Sequence, residues 1–520
     1  MTDRPNILFI QVDELAAKAM RSYGNTVAKT PALDALAERS VVFDAAYCNY
    51  PLCSPSRASM HAGRLPFDIQ QWDNGAEFHA DIPTFAHHLK RAGYSTTLCG
   101  KMHFIGPDQF HGYEERLTTD IYPSDFSWTS DWSRPIRKGG GVRMVNVVDA
   151  GVAVRNLQQD FDEEVGFQAV RKIYDLARDP DDRPFLLTVS FTQPHPPFVA
   201  PQEYWDMYEG VEIDMPEVPP IPFEDLGPFD QAKHHAQGAH LYDLNEERTR
   251  TSRRAYYAMM SYVDDLIGEV LNALAATGLD ENTVIVFTSD HGEMLGERGM
   301  WMKDCFYEPS VRVPLFICAP GVAPGRSDAV VSLVDLMPTF LDFAGVDLPV
   351  PTGQDGASMV PLLHGRTDGW RDEAIADYAG SGYGAPSRMI RRGRWKYWLT
   401  HGLDPVLYDV VADPNELTNL AGKPEHAGVQ AELHAALMAG WDPDWVLKNC
   451  KDSQKRRLYL RDLTEQTPRY DTWALEVRQG DKDRYVRGRQ ASFHRKALQR
   501  FPFVATPPIE FEPEDENLKP

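Results

Sequence analysis

The sequence is poor in cysteine. Only 6 of its 520 residues are cysteines, and they are Cys48, Cys53, Cys99, Cys305, Cys318 and Cys450. None of them form the closely spaced pairs of structural zinc sites, and disulfide scaffolds use cysteine far more densely. The spacing therefore argues against a disulfide framework and against structural zinc. Cys99 and Cys318 lie in apolar runs, where a free cysteine commonly packs in the core.

Long apolar runs are also missing. No segment approaches the roughly 18 consecutive apolar residues that a membrane helix needs, which excludes a membrane span. The first five residues, Met1-Thr2-Asp3-Arg4-Pro5, include an acid and lead into a predicted strand, without the apolar core of a signal peptide. We therefore expect the protein to reside in the cytoplasm.

Basic residues are outnumbered by acidic ones. The 53 Lys and Arg against 76 Asp and Glu give a formal net charge of −23. Non-specific binding to nucleic acid needs clustered Lys and Arg, so no nucleic-acid partner is expected. An anionic ligand would have to approach through a negative mean field, so local cations must dominate around any site for it. A zwitterionic ligand would approach more easily.

What the sequence does contain is a regular alternation of short apolar runs and helical patterns. Strands are predicted at 6–13, 95–99, 185–191, 283–290 and 313–318. This alternation predicts an α/β fold with a large, mostly parallel sheet flanked by helices. A long helix is predicted over 251–277, where apolar residues recur every three or four positions and Gly278 follows at the C′ position.

The pattern divides the chain into three parts. Residues 1–370 form the predicted large domain, and residues 371–447 form a smaller α+β subdomain with an antiparallel sheet. The subdomain has predicted strands at 387–400 and 406–411 and a helix near 425–440. Residues 448–520 form a charged, extended tail that cannot build a core alone, so it frays or clasps a neighbouring subunit, and we favour the clasp. Within the large domain, the acidic, proline-rich stretch 204–247 predicts a long surface excursion near the rim of a binding site.

Two of the predicted strands end in polar residues. Asp13 ends the first, and Asp290 and His291, followed by Gly292, end the fourth. In an open α/β sheet, ligands bind outside the carboxyl ends of the strands, so these side chains are expected to converge there. Taken singly, an Asp after a strand is more often a turn residue or a helix cap.

The pentapeptide Cys53-Ser54-Pro55-Ser56-Arg57 is the most informative stretch. Ser54, Pro55 and Ser56 are typical cap and first-turn residues, so the pentapeptide is predicted to open a helix. The positive potential of a helix N-terminus would favour a deprotonated oxygen on residue 53. On its own, Arg57 is an ordinary surface arginine, and so short a pattern arises by chance.

Together, these residues resemble the type I, formylglycine-dependent sulfatases of the alkaline phosphatase superfamily, and choline sulfatases most closely. The resemblance runs from about residue 5 to about residue 420. The further segments that carry it are Pro51-Leu52-Cys53, Gly100-Lys101-Met102-His103, Gly106-Pro107-Asp108-Gln109, residues 114–123 and Ser289-Asp290-His291-Gly292.

The resemblance implies a sulfuric ester hydrolase. A formylglycine-generating enzyme would convert Cys53 to formylglycine, and the hydrated aldehyde, bound to one divalent cation, would attack the sulfur of an alkyl or aryl sulfate. Elimination would then release sulfate and restore the aldehyde. The implied metal ligands are Asp13, Cys53 in its modified form, Asp290 and His291. Ca²⁺ is expected, with Mn²⁺ as the alternative. Many sulfatases have another ligand carboxylate at the position of Glu14, whose part stays open.

The remaining roles also follow from the resemblance. Arg57 would hold the modified side chain, and Lys101 and Lys303 would bind the sulfate oxygens. His103 would remove the proton that starts elimination, and His195, alone or together with Lys303, would protonate or polarise the leaving oxygen. Lys101 and His103 are two residues apart, so in an extended segment they would face the same side. The predicted substrate-binding residues are Asn74, Lys101, Trp128, His195 and Lys303.

The leaving group stays open. Choline would need an aromatic and anionic pocket, for which the candidates are Tyr122, Asp125, Phe126, Trp128 and Trp132. Where choline sulfatases continue with aromatic residues, however, residues 138–146 have none and add two cations. An aryl or another alkyl sulfate therefore stays possible, with Trp128 either packing on the substrate or lying in the core.

Three further expectations concern function and assembly. A phosphonate monoester or phosphodiester hydrolase would use the same residues. A sulfatase-like binding protein would require a lost nucleophile or metal ligand, and none is missing. The expected assembly is a homo-oligomer, a dimer or tetramer, formed through the tail.

Overall fold

The structure is a computed structural model that describes residues 4–133, 144–179, 181–346, 353–466 and 473–486. The strands are β1 (Asn6–Val12), β2 (Val41–Tyr47), β3 (Ser95–Gly100), β4 (Glu115–Arg116), β5 (Gly151–Val152), β6 (Phe185–Ser190), β7 (Val199–Ala200), β8 (Thr283–Ser289), β9 (Leu315–Cys318), β10 (Gly325–Ser332), β11 (Glu373–Tyr378), β12 (Ser387–Arg392), β13 (Trp395–Thr400) and β14 (Val406–Asp409). The helices are α1 (Pro31–Glu38), α2 (Cys53–Ala62), α3 (Phe85–Arg91), α4 (Val145–Val148), α5 (Leu157–Arg178), α6 (Gln202–Asp206), α7 (Pro228–Gln237), α8 (Glu246–Ala276), α9 (Glu308–Val311), α10 (Leu336–Phe343), α11 (Val360–Leu363), α12 (Ala427–Met438), α13 (Pro443–Glu465) and α14 (Asp481–Arg484).

The largest sheet has eight strands in the order β10-β2-β9-β8-β1-β6-β3-β4. β9 runs antiparallel to both of its neighbours. Every other neighbouring pair in this sheet is parallel. The predicted α/β fold with a mostly parallel sheet is therefore confirmed, and all five predicted strands belong to this sheet.

Both faces of the sheet are buried, because successive side chains of a strand point to opposite faces. In β1, Ile7 and Phe9 pack in one core with α2, α3 and α10. Leu8 and Ile10 pack in the other core, beneath α5 and α8. This double burial explains why the central strands are continuously apolar in sequence.

The long helix α8 covers the second core. It ends where the sequence predicts, with Gly278 in the left-handed conformation at φ 72°. It begins earlier than predicted, because the side chain of Asn245 accepts a hydrogen bond from the amide of Arg248 at 3.0 Å and caps the helix there.

The C-terminal subdomain contains the antiparallel sheet β11-β12-β13-β14. Its central strands match the predicted range 387–400, and α12 lies within the predicted helix near 425–440.

The tail is not extended at its start. The predicted boundary at residue 447 falls inside α13, which continues to Glu465. The buried stripe of this helix is Val446, Cys450, Gln454 and Arg457. Because half of that stripe is polar, the apolar periodicity that predicts a helix is absent. Residues 487–520 lie outside the described part of the chain.

Residues 473–486 pack against their own chain. The ring of Trp473 lies edge-on to Phe126, with centroids 5.1 Å apart. The amide of Val477 donates to the hydroxyl of Thr119 at 3.0 Å. Residues 473–486 thus cover the 119–126 segment of their own chain, and the predicted clasp on a neighbouring subunit stays a prediction.

The structure also bears on disulfide bonds and membrane-spanning helices. All six cysteines are free, with Cys99 buried and Cys318 half-buried. Among the described residues, the structure contains no helix that is long and apolar enough to span a membrane.

Candidate active site

The site lies at the carboxyl end of the central strands. β1 and β8 are neighbours and pair in register, with Val12 opposite Ser289. Asp13 and Asp290 follow these residues directly, so both carboxylates emerge at the same edge of the sheet. His291 Nε2 lies 3.6 Å from Oδ1 of Asp13 and 3.6 Å from Oδ1 of Asp290. The convergence expected from the sequence is present.

Cys53 completes this cluster as the first residue of α2. Its Sγ lies 3.2 Å from Nε2 of His291 and 3.6 Å from Oδ1 of Asp13. The pentapeptide opens a helix as predicted, but the helix begins one residue before Ser54, after Leu52. Asn74 from a separate loop supplies the cap, because its Oδ1 accepts a hydrogen bond from the amide of Ser54 at 3.0 Å.

Every residue of α2 is buried. Burial raises the pKa of the Cys53 thiol well above its ordinary value, although the charges of Lys303 and Arg57 oppose this. A neutral thiol is a weak nucleophile. The unmodified side chain is therefore poorly suited to attack a substrate.

Arg57 lies one helical turn after Cys53, fully buried beneath the cluster. Its Nε donates to Oδ2 of Asp290 at 2.7 Å. Its Nη1 donates to the hydroxyl of Ser190 at 2.7 Å and to the carbonyl of Lys101 at 2.9 Å. Arg57 is thus not a surface residue, and it ties α2 to the ends of three strands.

The charges of the cluster are set by burial and by each other. Burial lowers the pKa of His291 to about 3, assisted by Lys303 and opposed by Asp290. Burial tends to raise the pKa of Asp290, but Arg57, His291 and Lys101 together hold it below its usual value. His291 Nδ1 lies 3.1 Å from the carbonyl of Gly292, to which it donates. The ring is therefore neutral, and its Nε2 lone pair faces the two carboxylates.

Lys101 and His103 lie beside the cluster. The ammonium of Lys101 contacts the carboxylate of Asp13 and lies 4.4 Å from the centre of the Tyr122 ring. The segment is not extended at His103, which adopts a left-handed φ of 60°. Both side chains nevertheless contact Tyr122, because the His103 ring lies 4.9 Å from it.

The His103 imidazole is almost completely buried, and neither ring nitrogen has a hydrogen-bond partner within the described residues. Burial lowers its pKa well below the ordinary value, and the charge of Lys101 adds to this while Asp120 opposes it. The ring is therefore unprotonated at neutral pH.

His195, Glu14 and Lys303 form a second group next to Asp13. Nε2 of His195 lies 3.3 Å from Oε2 of Glu14, and the ammonium of Lys303 contacts the same oxygen. Burial alone lowers the pKa of Lys303, but Cys53, Glu14 and Asp304 raise it well above its usual value. Lys303 is therefore a fixed cation next to residue 53.

Two family models match the chain. One, described as Sulfatase, matches residues 5–346, and one described as N-sulphoglucosamine sulphohydrolase, C-terminal, matches residues 296–441. The chain belongs to the sulfatase family.

Curated relatives and solved structures agree with this assignment. The chain is 43% identical to a choline-sulfatase of Rhizobium meliloti (strain 1021) over 96% of this chain and 99% of that protein. It is 29% identical to an arylsulfatase of Clostridium perfringens (strain 13 / Type A), over 81% of this chain and 91% of that protein. A solved phosphonate monoester hydrolase of Agrobacterium radiobacter superposes with a TM-score of 0.68 at 26% identity, covering 84% of this chain and 95% of that one. The resemblance to choline-sulfatase thus extends well beyond residue 420.

The donor set of this sulfatase fits a divalent cation. One ligand atom each from Asp13, Cys53, Asp290 and His291 lies within 4.8 Å of the others, and all four residues are buried. Two carboxylates, one neutral imidazole and an oxygen in place of the sulfur suit Ca²⁺ or Mn²⁺. Glu14 forms a separate group with Asp13 and His195, and its contact with Lys303 places it in the second group.

The residues predicted to bind the substrate or its leaving group do not all lie at the site. Trp128 is half-buried, packs against the second core and lies edge-on to His103, with centroids 5.2 Å apart, so it lies where that core borders the site. Asn74 caps α2, as described above. Of the other aromatic candidates, Phe126 packs on Trp473, and Trp132 donates from Nε1 to the carbonyl of Gly380 at 2.9 Å. Residues 138–143 of the divergent stretch lie outside the described residues.

Sequence reasoning missed two supporting acids. Asp120 accepts hydrogen bonds from the amides of Met102 and His103, each at 2.8 Å, and fixes the turn that carries His103. Glu293 is fully buried and accepts from the amide of Leu295 at 3.0 Å. Burial raises the pKa of Glu14, and the charge of Glu293 adds to this while Lys303 opposes it. Asp120 lies within residues 114–123, one of the segments that carry the family resemblance. No pattern in the sequence indicates a role for Glu293.

Proposed function

We propose that this sulfatase hydrolyses the sulfate monoester of a small alcohol, with choline sulfate as the first candidate, and uses residue 53 as formylglycine. One observation carries the proposal. A buried residue 53 at a helix N-terminus lies within 3.6 Å of Asp13 and His291, and the cations Arg57, Lys101 and Lys303 surround the same cluster. The reaction converts the ester and water into the alcohol and hydrogen sulfate, with cleavage of a sulfur–oxygen bond.

Burial raises the pKa of the Cys53 thiol, so the unmodified side chain is a weak nucleophile and a different nucleophile is needed at this position. In the family that the chain belongs to, formylglycine supplies a hydrated aldehyde with two oxygens, one for attack on sulfur and one for the subsequent elimination. Asn74 and Arg57 hold α2 at both ends of the pentapeptide, so the Cβ of residue 53 has a fixed direction. Fixed placement of a nucleophile is a large contribution to rate.

Asp13, Asp290, His291 and the modified residue 53 would hold one divalent cation, with Ca²⁺ preferred and Mn²⁺ as the alternative. When bound, the cation supplies a positive charge that lowers the pKa of a coordinated hydroxyl. His291 is prepared for this role, because its neutral ring is oriented by the hydrogen bond to Gly292.

Lys101 and Lys303 are proposed to bind the sulfate oxygens. Each ammonium now contacts a carboxylate of the site, Asp13 or Glu14. Both lie beside residue 53, where they offset the negative charge that develops during transfer. Such a cationic group solves the problem that the net charge of −23 poses for an anionic substrate.

His195 and His103 are proposed to move the two protons. His195, oriented by Glu14 and by the hydroxyl of Tyr122 at 3.2 Å, delivers a proton to the leaving oxygen. His103, neutral and without a hydrogen-bond partner in the described part of the chain, accepts the proton from the second oxygen of residue 53. Both rings lie next to Tyr122, with centroids 4.9 Å from it for His103 and 5.7 Å for His195.

The leaving group is proposed to contact Tyr122 and Trp128. Their rings lie 4.9 Å apart and both border His103. Aromatic faces of this kind attract a quaternary ammonium. The identity of 43% with a choline-sulfatase over nearly the whole chain supports the same substrate.

The test is a comparison of kcat/KM for choline sulfate, 4-nitrophenyl sulfate and an aryl phosphonate monoester. We expect choline sulfate to have the highest value, and the variant Cys53→Ser to lose activity on it. Cys318→Ser, a half-buried cysteine on β9, is the matched control and should retain activity. A phosphonate value above both sulfate values would overturn the proposal.

Phosphonate monoester hydrolysis is the second candidate. Two solved phosphonate monoester hydrolases superpose on the chain with TM-scores of 0.68 and 0.69, each at 26% identity. The same cations would bind a phosphonate, and the same kinetic comparison decides between the two.

Two expectations about the cellular setting stay predictions. Conversion of Cys53 requires a formylglycine-generating enzyme in the host, and residence in the cytoplasm rests on the sequence. Assembly into a homo-oligomer through residues 448–520 is likewise proposed, and light scattering of the intact and the truncated chain tests it.

A further inference from the structure

Helix α13, from the C-terminal part of the chain, reaches two loops that border the active site. Its buried stripe of Val446, Cys450, Gln454 and Arg457 faces the catalytic domain. Gln454 accepts a hydrogen bond from the amide of Trp132 at 3.2 Å. Arg457 lies one turn further on, with its side chain only 6% exposed.

The guanidinium of Arg457 joins the two loops. It donates from Nη1 to Oδ1 of Asp73 at 2.6 Å and from Nη2 to Oδ2 at 3.1 Å. Nη1 also donates to the hydroxyl of Thr129 at 3.1 Å. Its Nε donates a hydrogen bond to the hydroxyl of Ser453 at 3.1 Å, and this bond fixes the plane of the guanidinium. A lysine could not make this bidentate contact.

The first loop controls the helix that carries residue 53. Asp73 is followed by Asn74, whose side chain caps α2 at Ser54. Asp73 also accepts from the amide of Gly75 at 2.9 Å, so its carboxylate fixes the turn on both sides of Asn74. A shift of Asp73 would therefore move the cap of the nucleophile helix.

The second loop controls the aromatic wall. Thr129 follows Trp128 directly, and the amide of Ser130 donates to Oδ2 of Asp73 at 3.2 Å. The two loops touch closely, because a Cβ atom on Gly75 would lie 2.5 Å from the backbone nitrogen of Thr129. One carboxylate thus holds both the cap of α2 and the backbone next to Trp128.

From these contacts we infer that Arg457 is a positioning residue of the active site, which acts through Asp73 to set residue 53 and Trp128 relative to each other. Only the kinetic consequence of this inference rests on the proposed function. Arg457 makes the C-terminal helix part of the proposed catalytic architecture, because it acts on the site through Asp73 and Thr129.

The variant Arg457→Lys tests this role, with Arg388→Lys as the matched control. Arg388 makes an equally buried bidentate pair with Asp377, at 2.6 and 3.1 Å, in the C-terminal sheet. We expect Arg457→Lys to lower kcat by about 10- to 100-fold, as misplacement of reacting groups does. KM should change less, since a lost substrate contact alone would raise KM and leave kcat unchanged. Arg388→Lys should lose similar thermal stability and keep the kcat of the wild type.

Hydrogen exchange measured by mass spectrometry tests, in the absence of substrate, whether Arg457 holds these two loops in place. Peptides that contain the amides of Ser54 and Ser130 should exchange faster in Arg457→Lys than in the wild type or in Arg388→Lys. If Arg457→Lys does not fold, the double variant Asp73→Asn/Arg457→Gln removes both charges together and takes its place.

The outcomes separate the two proposals. A wild type that is inactive on every sulfate and phosphonate overturns the proposed function, while the exchange result still decides the role of Arg457. Unchanged exchange at Ser54 and Ser130, or an equal loss of kcat in both single variants, overturns the positioning role.

Discussion

Arg57 and Asp290 form a fully buried ion pair, with Nε of the arginine 2.7 Å from Oδ2 of the aspartate. Because Oδ2 is occupied by Arg57, Oδ1 of Asp290 remains directed towards His291. The arginine therefore orients a proposed metal ligand. It does so from the same helix that presents residue 53, which couples the two parts of the site.

Arg57→Lys should disable the enzyme. A lysine cannot contact Asp290, Gln11, Ser190 and the carbonyl of Lys101 together. We expect kcat/KM to fall at least about 100-fold and the free energy of unfolding to fall by about 1–3 kcal/mol, because buried acceptors lose their donors while the charge opposite Asp290 is kept. Urea denaturation and steady-state kinetics measure both. Arg326→Lys, in an exposed pair with Asp44, should change stability by less than about 0.5 kcal/mol.

Removal of the metal should abolish activity. Chelator-treated enzyme is expected to have a lower melting temperature, and added Ca²⁺ should restore both stability and turnover, because a ligand that binds only the folded state stabilises it. Asp13→Asn should lose the response to Ca²⁺, whereas Asp328→Asn, on the exposed edge of the sheet, should keep it. A chelated enzyme with full activity would contradict the proposed ligand set.

His195→Gln should affect substrates unequally. If His195 protonates the leaving oxygen, its loss should lower kcat/KM by about 100-fold or more for an alkyl sulfate. The loss should be much smaller for 4-nitrophenyl sulfate, whose leaving group needs little protonation. His364→Gln, an exposed histidine, is the control. Equal losses for both substrates would assign His195 to binding instead.

The stability of the protein should decrease in acid. Burial lowers the pKa of His61 to about 3, against about 6.5 in an unfolded chain. Below pH 6.5, the unfolded chain binds a proton that the folded protein does not, so the free energy of unfolding falls as the pH drops. The loss from this group approaches about 1.4 kcal/mol per pH unit until pH 3. Denaturation of His61→Gln should show a shallower pH dependence, and an unchanged slope would contradict this.

Much of this architecture could be predicted from the sequence because its signals are local. Asp13, Asp290 and His291 follow apolar runs directly, and neighbouring parallel strands bring their ends together. The family resemblance indicated Lys101, His103, His195 and Lys303, and the structure gathers them around residue 53. Trp128 could be assigned to the site only once its contact with His103 was visible.

The contacts that support the site could not be predicted in this way. Asp73 and Arg457 are separated by hundreds of residues, and their pairing depends on how α13 docks. The same holds for Asn74, which caps a helix from another loop, so the cap was expected at Ser54. The antiparallel direction of β9 is also set by the fold and not by its apolar sequence.

The most direct test of this account is the mass of the peptide that contains residue 53, isolated from enzyme of measured specific activity. Conversion of cysteine to formylglycine lowers the mass by about 18 Da. The account predicts that activity on choline sulfate rises in proportion to the converted fraction, across preparations made with and without a formylglycine-generating enzyme. Full activity in a preparation in which Cys53 is entirely unconverted would contradict it.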